Sequence, residues 1–114
     1  MLKLRGIVTG ASRGIGAAIA IELDRRGYEV YGLSRSGRSS AGTGIVCDMT
    51  DEGVVRDTFG RITDDGPVTV LVNNAGFHVS ARSSSLSVAD YTAVMALNAT
   101  AVMVACREIY PSMK

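Results

Sequence analysis

The sequence predicts an α/β fold, a doubly wound parallel sheet, from three observations. Short apolar runs alternate with amphipathic stretches at helical spacing along the chain. A glycine-rich turn, Thr9-Gly10-Ala11-Ser12-Arg13-Gly14-Ile15-Gly16, joins the first apolar run to the first such stretch. The run Val68 to Val72 is nearly all apolar, as a strand covered on both faces should be. The 114 residues have room for one domain with one core, residues 1–114, and 46% hydrophobic content argues against a disordered segment.

Leu2, Leu4, Ile7 and Val8 read as a buried first strand, after which Ile15, Ile19 and Leu23 recur at helical spacing. This helix runs from about Gly14 to Arg26; Arg25 and Arg26 suit its negative end, and Gly27 is its left-handed cap. The glycines sit where strand becomes helix. There the first helical amides lack partners and favour an anion such as phosphate. Gly10 takes the turn, Gly14 lets a pyrophosphate approach the backbone, and Gly16 lets the helix lie close to the strand.

Tyr28 to Ser34 is the second strand. Its tip, Leu33-Ser34-Arg35-Ser36, carries an arginine and hydroxyls about 20 residues beyond the glycine turn, where a dinucleotide fold binding a free ribose 2′-hydroxyl has an acid. A guanidinium grips phosphate bidentately, so Arg35, with Arg13 on the other side, suits a 2′-phosphate. The alternative is that both are solvated surface charges.

Gly44 to Cys47 is a short third strand ending at Asp48 and Met49, and the loop before it is too short for a full crossover helix. Asp48 either meets a ligand or caps the next helix, for which Thr50 is the better cap. Asp51 and Glu52 favour that helix's N-terminus, and Val55, Phe59 and Ile62 form its buried stripe. Asp64-Asp65-Gly66-Pro67 is a turn before the Val68 to Val72 strand. Right-handed crossovers then give strand order 3-2-1-4. The order reverses beside strand one, so the crevice between Gly10–Gly16 and Asn73–Gly76 is where a dinucleotide lies. Asn73 and Asn74 tie the strand end to its neighbour and floor the site, while Ala75 and Gly76 leave room for a ribose and ring.

Phe77 to Leu86 is a polar loop whose His78 is the chain's one imidazole and receives no role. Ser87-Val88-Ala89-Asp90 is a variant capping box. The helix it opens places Val88, Tyr91, Met95, Asn98, Val102, Ala105 and Ile109 on one stripe and ends at Tyr110-Pro111.

Thr9 to Gly16 resembles the TGxxxGxG motif of the classical short-chain dehydrogenases/reductases, and Asn73-Asn74-Ala75-Gly76 resembles their NNAG segment. The resemblance runs from Met1 to Lys114, over the N-terminal half of such proteins, and looks closest to the 3-oxoacyl-[acyl-carrier-protein] reductases. It implies a Rossmann-type sheet, here incomplete, without the C-terminal strands. It implies NADP(H), preferred over NAD(H), held by the glycine turn including Ser12 and Ile15, by Ser34 and Arg35, by Asp48 on the adenine amino group with Met49 beside it, and by Asn74, Ala75 and Gly76. Asn98, within Ala96-Leu97-Asn98-Ala99-Thr100, matches the active-site asparagine that helps hold a water leading to the catalytic lysine.

The implied reaction is hydride transfer between nicotinamide and a carbonyl or alcohol substrate. The family's catalytic Ser and Tyr-x-x-x-Lys are not found in this chain; Tyr110 to Lys114 has the spacing but reads as a helix end. Three readings follow: the N-terminal part of a reductase, one half of a split enzyme, or a non-catalytic dinucleotide-binding module. Pairing as a homo-oligomer through the helix carrying Ala101 to Ile109, or with a complementing C-terminal half, is expected by resemblance.

With 12 Lys plus Arg against 11 Asp plus Glu, the net charge of +1 provides no electrostatic case for nucleic acid or membrane binding. No secretory signal is expected, and Ala93 to Cys106 is shorter than the roughly 20 residues a bilayer needs. The expectation is a cytoplasmic protein. Cys47 and Cys106 read as buried small hydrophobes, and a single histidine makes no metal site.

Overall fold

The computed structural model describes residues 3–77 and 79–113, so the expectations for Leu2, His78 and Lys114 lie outside the described residues. The chain forms β1 (Arg5–Thr9), α1 (Gly14–Arg25), β2 (Glu29–Ser34), β3 (Thr43–Val46), α2 (Glu52–Asp64), β4 (Val70–Val72), α3 (Val88–Met95), a π-helical turn (Ala96–Thr100) and α4 (Ala101–Met113). All pairings are parallel in the expected order β3-β2-β1-β4, with Ile7 between Tyr31 and Leu71. Side chains alternate across a strand, so β1 sends Ile7 to one face and Val8 to the other. Val8 packs with Ala11, Ala20 and Val30 beside α1, while Ile7 joins Leu33, Phe59, Val104 and Ile109 beneath α2 and α4.

Several elements sit differently from the sequence reading. Leu4 precedes β1 and is 53% exposed. α1 buries Gly16 and Ala20 rather than a stripe led by Ile15, which is 75% exposed at the helix start; Ile19 and Leu23 are half-buried. β4 is an edge strand and only half-buried, not covered on both faces. No helix bridges β2 and β3, as the short connection required.

α2 buries the predicted Val55, Phe59 and Ile62, together with Thr58. Its cap is Asp51, whose Oδ1 accepts from the Val54 N–H at 3.1 Å; Thr50 instead engages Asp48.

The final helical run departs most from expectation. Ser87 caps it as expected, its Oγ accepting from the Asp90 N–H at 3.0 Å. Then the Ala101 N–H donates to the Ala96 carbonyl five residues back, inserting one residue into the helical repeat. Each residue turns a helix by about 100°, so the insertion shifts the apolar stripe. Val88, Tyr91 and Met95 face solvent, and the buried face is Ala101, Val104, Ala105 and Ile109. Cys106, beside the buried Ala105 but off that face, lies exposed, which corrects its reading as a buried residue, whereas Cys47 is buried. α4 continues through Pro111 to Met113, held there because the Val68 N–H donates to Ser112 Oγ at 2.9 Å. The whole run, Val88–Met113, is long and apolar enough by length and composition to cross a membrane, which corrects the expectation of a shorter stretch. Its α4 half packs on α2.

One buried cation ties the lower end of the sheet. Arg5 is 6% exposed, and its Nη1 donates to the carbonyls of Ile62 at 2.9 Å and Gly66 at 2.6 Å. Its Nη2 donates to the Tyr31 hydroxyl, its guanidinium covers the Tyr31 ring, and Glu29 lies 3.5 Å from Nε. The side chain joins β1 and β2 to the exit of α2. Substituting Arg5→Met keeps the volume but takes a donor from the Gly66 carbonyl and from the buried Tyr31 hydroxyl, while the Ile62 carbonyl keeps the Asp65 N–H at 3.3 Å. It should lower unfolding free energy by about 2–4 kcal/mol in urea titrations, and a loss under 1 kcal/mol would show the cluster is dispensable.

Candidate functional site

The site lies at the carboxyl ends of β1 and β4, where the strand order reverses. Thr9, at the end of β1, is fully buried, and its Oγ1 accepts from the N–H groups of Asn74 and Ala75, each at 3.0 Å. Asn74 returns the contact, its Nδ2 donating to the Gly10 carbonyl at 3.1 Å. α1 meets the same point. A Cβ on Gly16 would fall 2.1 Å from the Gly10 oxygen and 2.4 Å from Asn74 Nδ2. Only a residue without a side chain allows this three-way approach.

The turn itself leaves donors unclaimed. Gly10 and Ala11 donate to the Leu33 carbonyl at 2.8 and 3.3 Å, which closes the turn onto β2. Gly14 holds φ +61°, a conformation that favours glycine, and opens α1. Arg13 at the N-cap makes no side-chain capping bond, and the first turn contains no acid. The positive end of α1 therefore meets neither a capping side chain nor a carboxylate.

Beyond it, Arg13, Arg35 and Arg38 are exposed, and among the described residues no carboxylate pairs with any of them. The Asp48 carboxyl is held below its ordinary range. Thr50 is the chief cause, its hydroxyl and N–H donating to Oδ1 at 2.6 and 2.9 Å, with a smaller pull from the Arg35 charge.

On the other side, Asn98 in the π-helical turn engages the backbone of Phe77 twice. Its Oδ1 accepts from the Phe77 N–H at 2.9 Å and its Nδ2 donates to the Phe77 carbonyl at 2.7 Å. A Cβ on Gly76 would lie 2.9 Å from Asn98 Oδ1. The helix thereby fixes the segment that follows β4.

Gly10, Gly16, Asn74, Ala75, Gly76 and Asn98 thus meet through direct contacts. Of the asparagine pair, Asn74 alone ties β4 to β1; Asn73 is exposed, with its Nδ2 3.6 Å from Cys106 Sγ. Ser34 is buried and its hydroxyl donates to the Arg38 carbonyl at 2.7 Å. Met49 is buried in the core, its sulfur 3.7 Å from that of Cys47, whose thiol burial pushes upward in pKa. Ser12 is half-buried and Ile15 exposed. Tyr110 belongs to the far end of α4, beside the start of β4, which removes it from this site. Sequence reasoning missed the hub role of Thr9, for which the Thr-Gly pair was the available signal, and the backbone of Phe77, for which there was none.

A family profile described as short chain dehydrogenase matches residues 6–114. The chain belongs to the short-chain dehydrogenases. Among relatives in this family, the gluconate 5-dehydrogenase of Gluconobacter oxydans is 39% identical over 111 residues, 86% of this chain and 43% of that protein. The 3-oxoacyl-[acyl-carrier-protein] reductase MabA of Mycobacterium tuberculosis is 36% identical over 96 residues, 82% of this chain and 39% of that protein. Among solved structures, the ligand-free aldohexose dehydrogenase of Thermoplasma acidophilum superposes with TM-score 0.91 at 32% identity, covering 97% of this chain and 44% of that one. A metagenomic short-chain oxidoreductase in complex with NADP gives TM-score 0.85 at 28% identity, covering 96% and 56% respectively. The chain thus spans less than half the length of these curated relatives.

Two outcomes follow from this geometry. Asn74→Ala removes the bond to Gly10 and should cost about 1–2 kcal/mol in thermal unfolding, while Gly16→Ala, which collides with backbone, should cost more than Asn74→Ala. Because the folded Asp48 pKa is depressed, the carboxylate adds stability at pH values above its unfolded range, and this is lost as pH falls through the lowered folded value. Asp48→Asn should therefore be less stable than wild type at neutral pH, with the gap closing on acidification in denaturation curves; a gap independent of pH would contradict the assignment.

Proposed function

We propose that this chain is the cofactor-binding part, residues 1–114, of an NADP(H)-dependent oxidoreductase that moves hydride between nicotinamide and a carbonyl or alcohol substrate. The observation that carries the reading is the uncapped, acid-free N-terminus of α1, with exposed Arg13 at its start, exposed Arg35 instead of an acid at the tip of β2, and neither ion-paired with a carboxylate among the described residues. The nicotinamide supplies the hydride when bound; the protein supplies placement and charge.

Each residue then has a task. The N–H groups around Gly14, Ile15 and Gly16 receive the diphosphate, with Gly10 and Ser12 shaping the turn beside it. Arg13 and Arg35 take the 2′-phosphate, with Ser34 beneath them. Asp48 keeps Oδ2 for the adenine amino group, since both donors from Thr50 use Oδ1, and Met49 backs that contact from the core. Asn74, Ala75 and Gly76 line the ribose and ring, while Asn98 fixes their wall through Phe77 and contributes to the proton path of the complete enzyme.

The bound NADP named for one solved family member supports a nicotinamide dinucleotide, and the arginine pair supports the phosphorylated form. A small-molecule substrate, a cytoplasmic setting, and either a homo-oligomer or a complementing C-terminal half complete the reading. Titration with NADPH and NADH, followed by nicotinamide fluorescence, tests it. NADPH should bind more tightly to wild type, and Arg35→Ala should lose about tenfold or more for NADPH with NADH unchanged; equal wild-type affinity for the two cofactors would refute the phosphate assignment.

A further inference from the structure

A cavity of about 210 Å³ opens at the outer edge of the sheet, between α2 and strands β2 and β3. Thr58, Arg61, Ile62 and Asp65 recur at helical spacing along α2 and its C-cap, and Tyr31 and Ile45 complete the lining from the strands. β3 is the terminal strand on the side away from β4, so strands added beyond β4 would leave the cavity as it is. None of its six residues belongs to the cleft at the ends of β1 and β4.

Thr58 is the feature that calls for a ligand. It is 1% exposed, and its Oγ1 hydrogen-bonds nothing among the described residues. A helical threonine can return its hydroxyl to a carbonyl three or four residues back, as Thr63 of the same helix does to Gly60 and Phe59 at 3.2 and 3.0 Å. The Cys47 thiol, which burial raises in pKa and the Thr58 hydroxyl lowers, is too weak an acceptor to replace that bond. A buried hydroxyl left so is destabilising until a partner satisfies it.

The rest of the cavity describes that partner. The Tyr31 ring, Ile45 and Ile62 are apolar walls, and the Arg5 guanidinium fixes the ring by covering it and donating to its hydroxyl. An apolar cavity of about 150 Å³ already holds benzene, so this one admits a single substituted ring. Arg61 and Asp65 are exposed, neither is ion-paired among the described residues, and their opposite charges favour neither an anion nor a cation. We propose that this cavity is a binding site for a small uncharged phenol, with its ring against Tyr31 and the two isoleucines and its hydroxyl sharing a hydrogen bond with Thr58 Oγ1. The site stands independently of the dinucleotide reading.

Titration of the full chain with phenol and with benzene, followed in proton–nitrogen correlation spectra, tests it. Saturable shifts should centre on the amides of Ile45, Thr58 and Ile62, with phenol binding about fivefold or more tightly than benzene. Thr58→Val keeps the shape and removes the hydroxyl. It should leave benzene unchanged, reduce phenol to the affinity of benzene, and unfold at or above the wild-type temperature because no bond is lost. Ile45→Trp, at a half-buried position, should fill the cavity and abolish both shifts; the isosteric valine variant carries the test alone if the tryptophan variant does not fold. Absence of saturable shifts at these amides in wild type, equal affinity for phenol and benzene, or a phenol preference that survives Thr58→Val overturns the proposal. Benzoate or benzylamine displacing phenol at lower concentration than phenol itself overturns the choice of an uncharged ligand.

Discussion

One buried hydroxyl organises the upper end of the sheet. Thr9 accepts two backbone N–H groups from the segment after β4, so the ends of neighbouring strands are joined where no ladder bond remains to join them. Asn74 then reaches back to Gly10, and Gly16 brings α1 against both. Because the three contacts share atoms, each constrains the position of the other two. Buried polar networks of this kind rigidify only when every member is satisfied, and here Thr9 and Asn74 are.

The electrostatics follow from that rigidity. A helix whose first amides have no cap is costly to leave facing an apolar surface, and α1 opens on the cleft instead. Exposed arginines, Arg13 and Arg35, lie on the turn and on the tip of β2, and Thr50 holds the Asp48 carboxyl below its ordinary range. In the reading proposed above, backbone dipoles and guanidinium groups act on the anion together. The short crossover between β2 and β3 belongs to the same design, since Ser39 and Ser40 seat it on β2 and on the glycine turn.

Much of this was legible in the residues because it is local. Alternation of apolar runs, the glycine spacing, the Ser87 cap and the Val55, Phe59, Ile62 stripe each depend on neighbours a few positions away. What was hidden depends on distant partners. Arg5 reads as a charge near a terminus, yet carbonyls some sixty residues away and the Tyr31 ring bury it. Pro111 reads as a stop, yet a bond from Val68 to Ser112 carries the helix past it. The π-helical turn has no sequence signature of its own; within it Asn98 bonds the backbone of Phe77, and the predicted stripe, kept at Ala105 and Ile109, is lost before Ala101.

The extra residue in that turn separates two demands which a regular helix would have to reconcile. Downstream, α4 presents small and branched side chains to α2 in the phase that packing dictates; upstream, Asn98 is aimed at a backbone amide pair. Shortening the Ala96–Thr100 segment by one position would leave both surfaces intact as sequences but rotate one against the other, so that either the asparagine or the packed face loses its partner. The length of this segment is therefore under a tighter constraint than the identity of most residues in it.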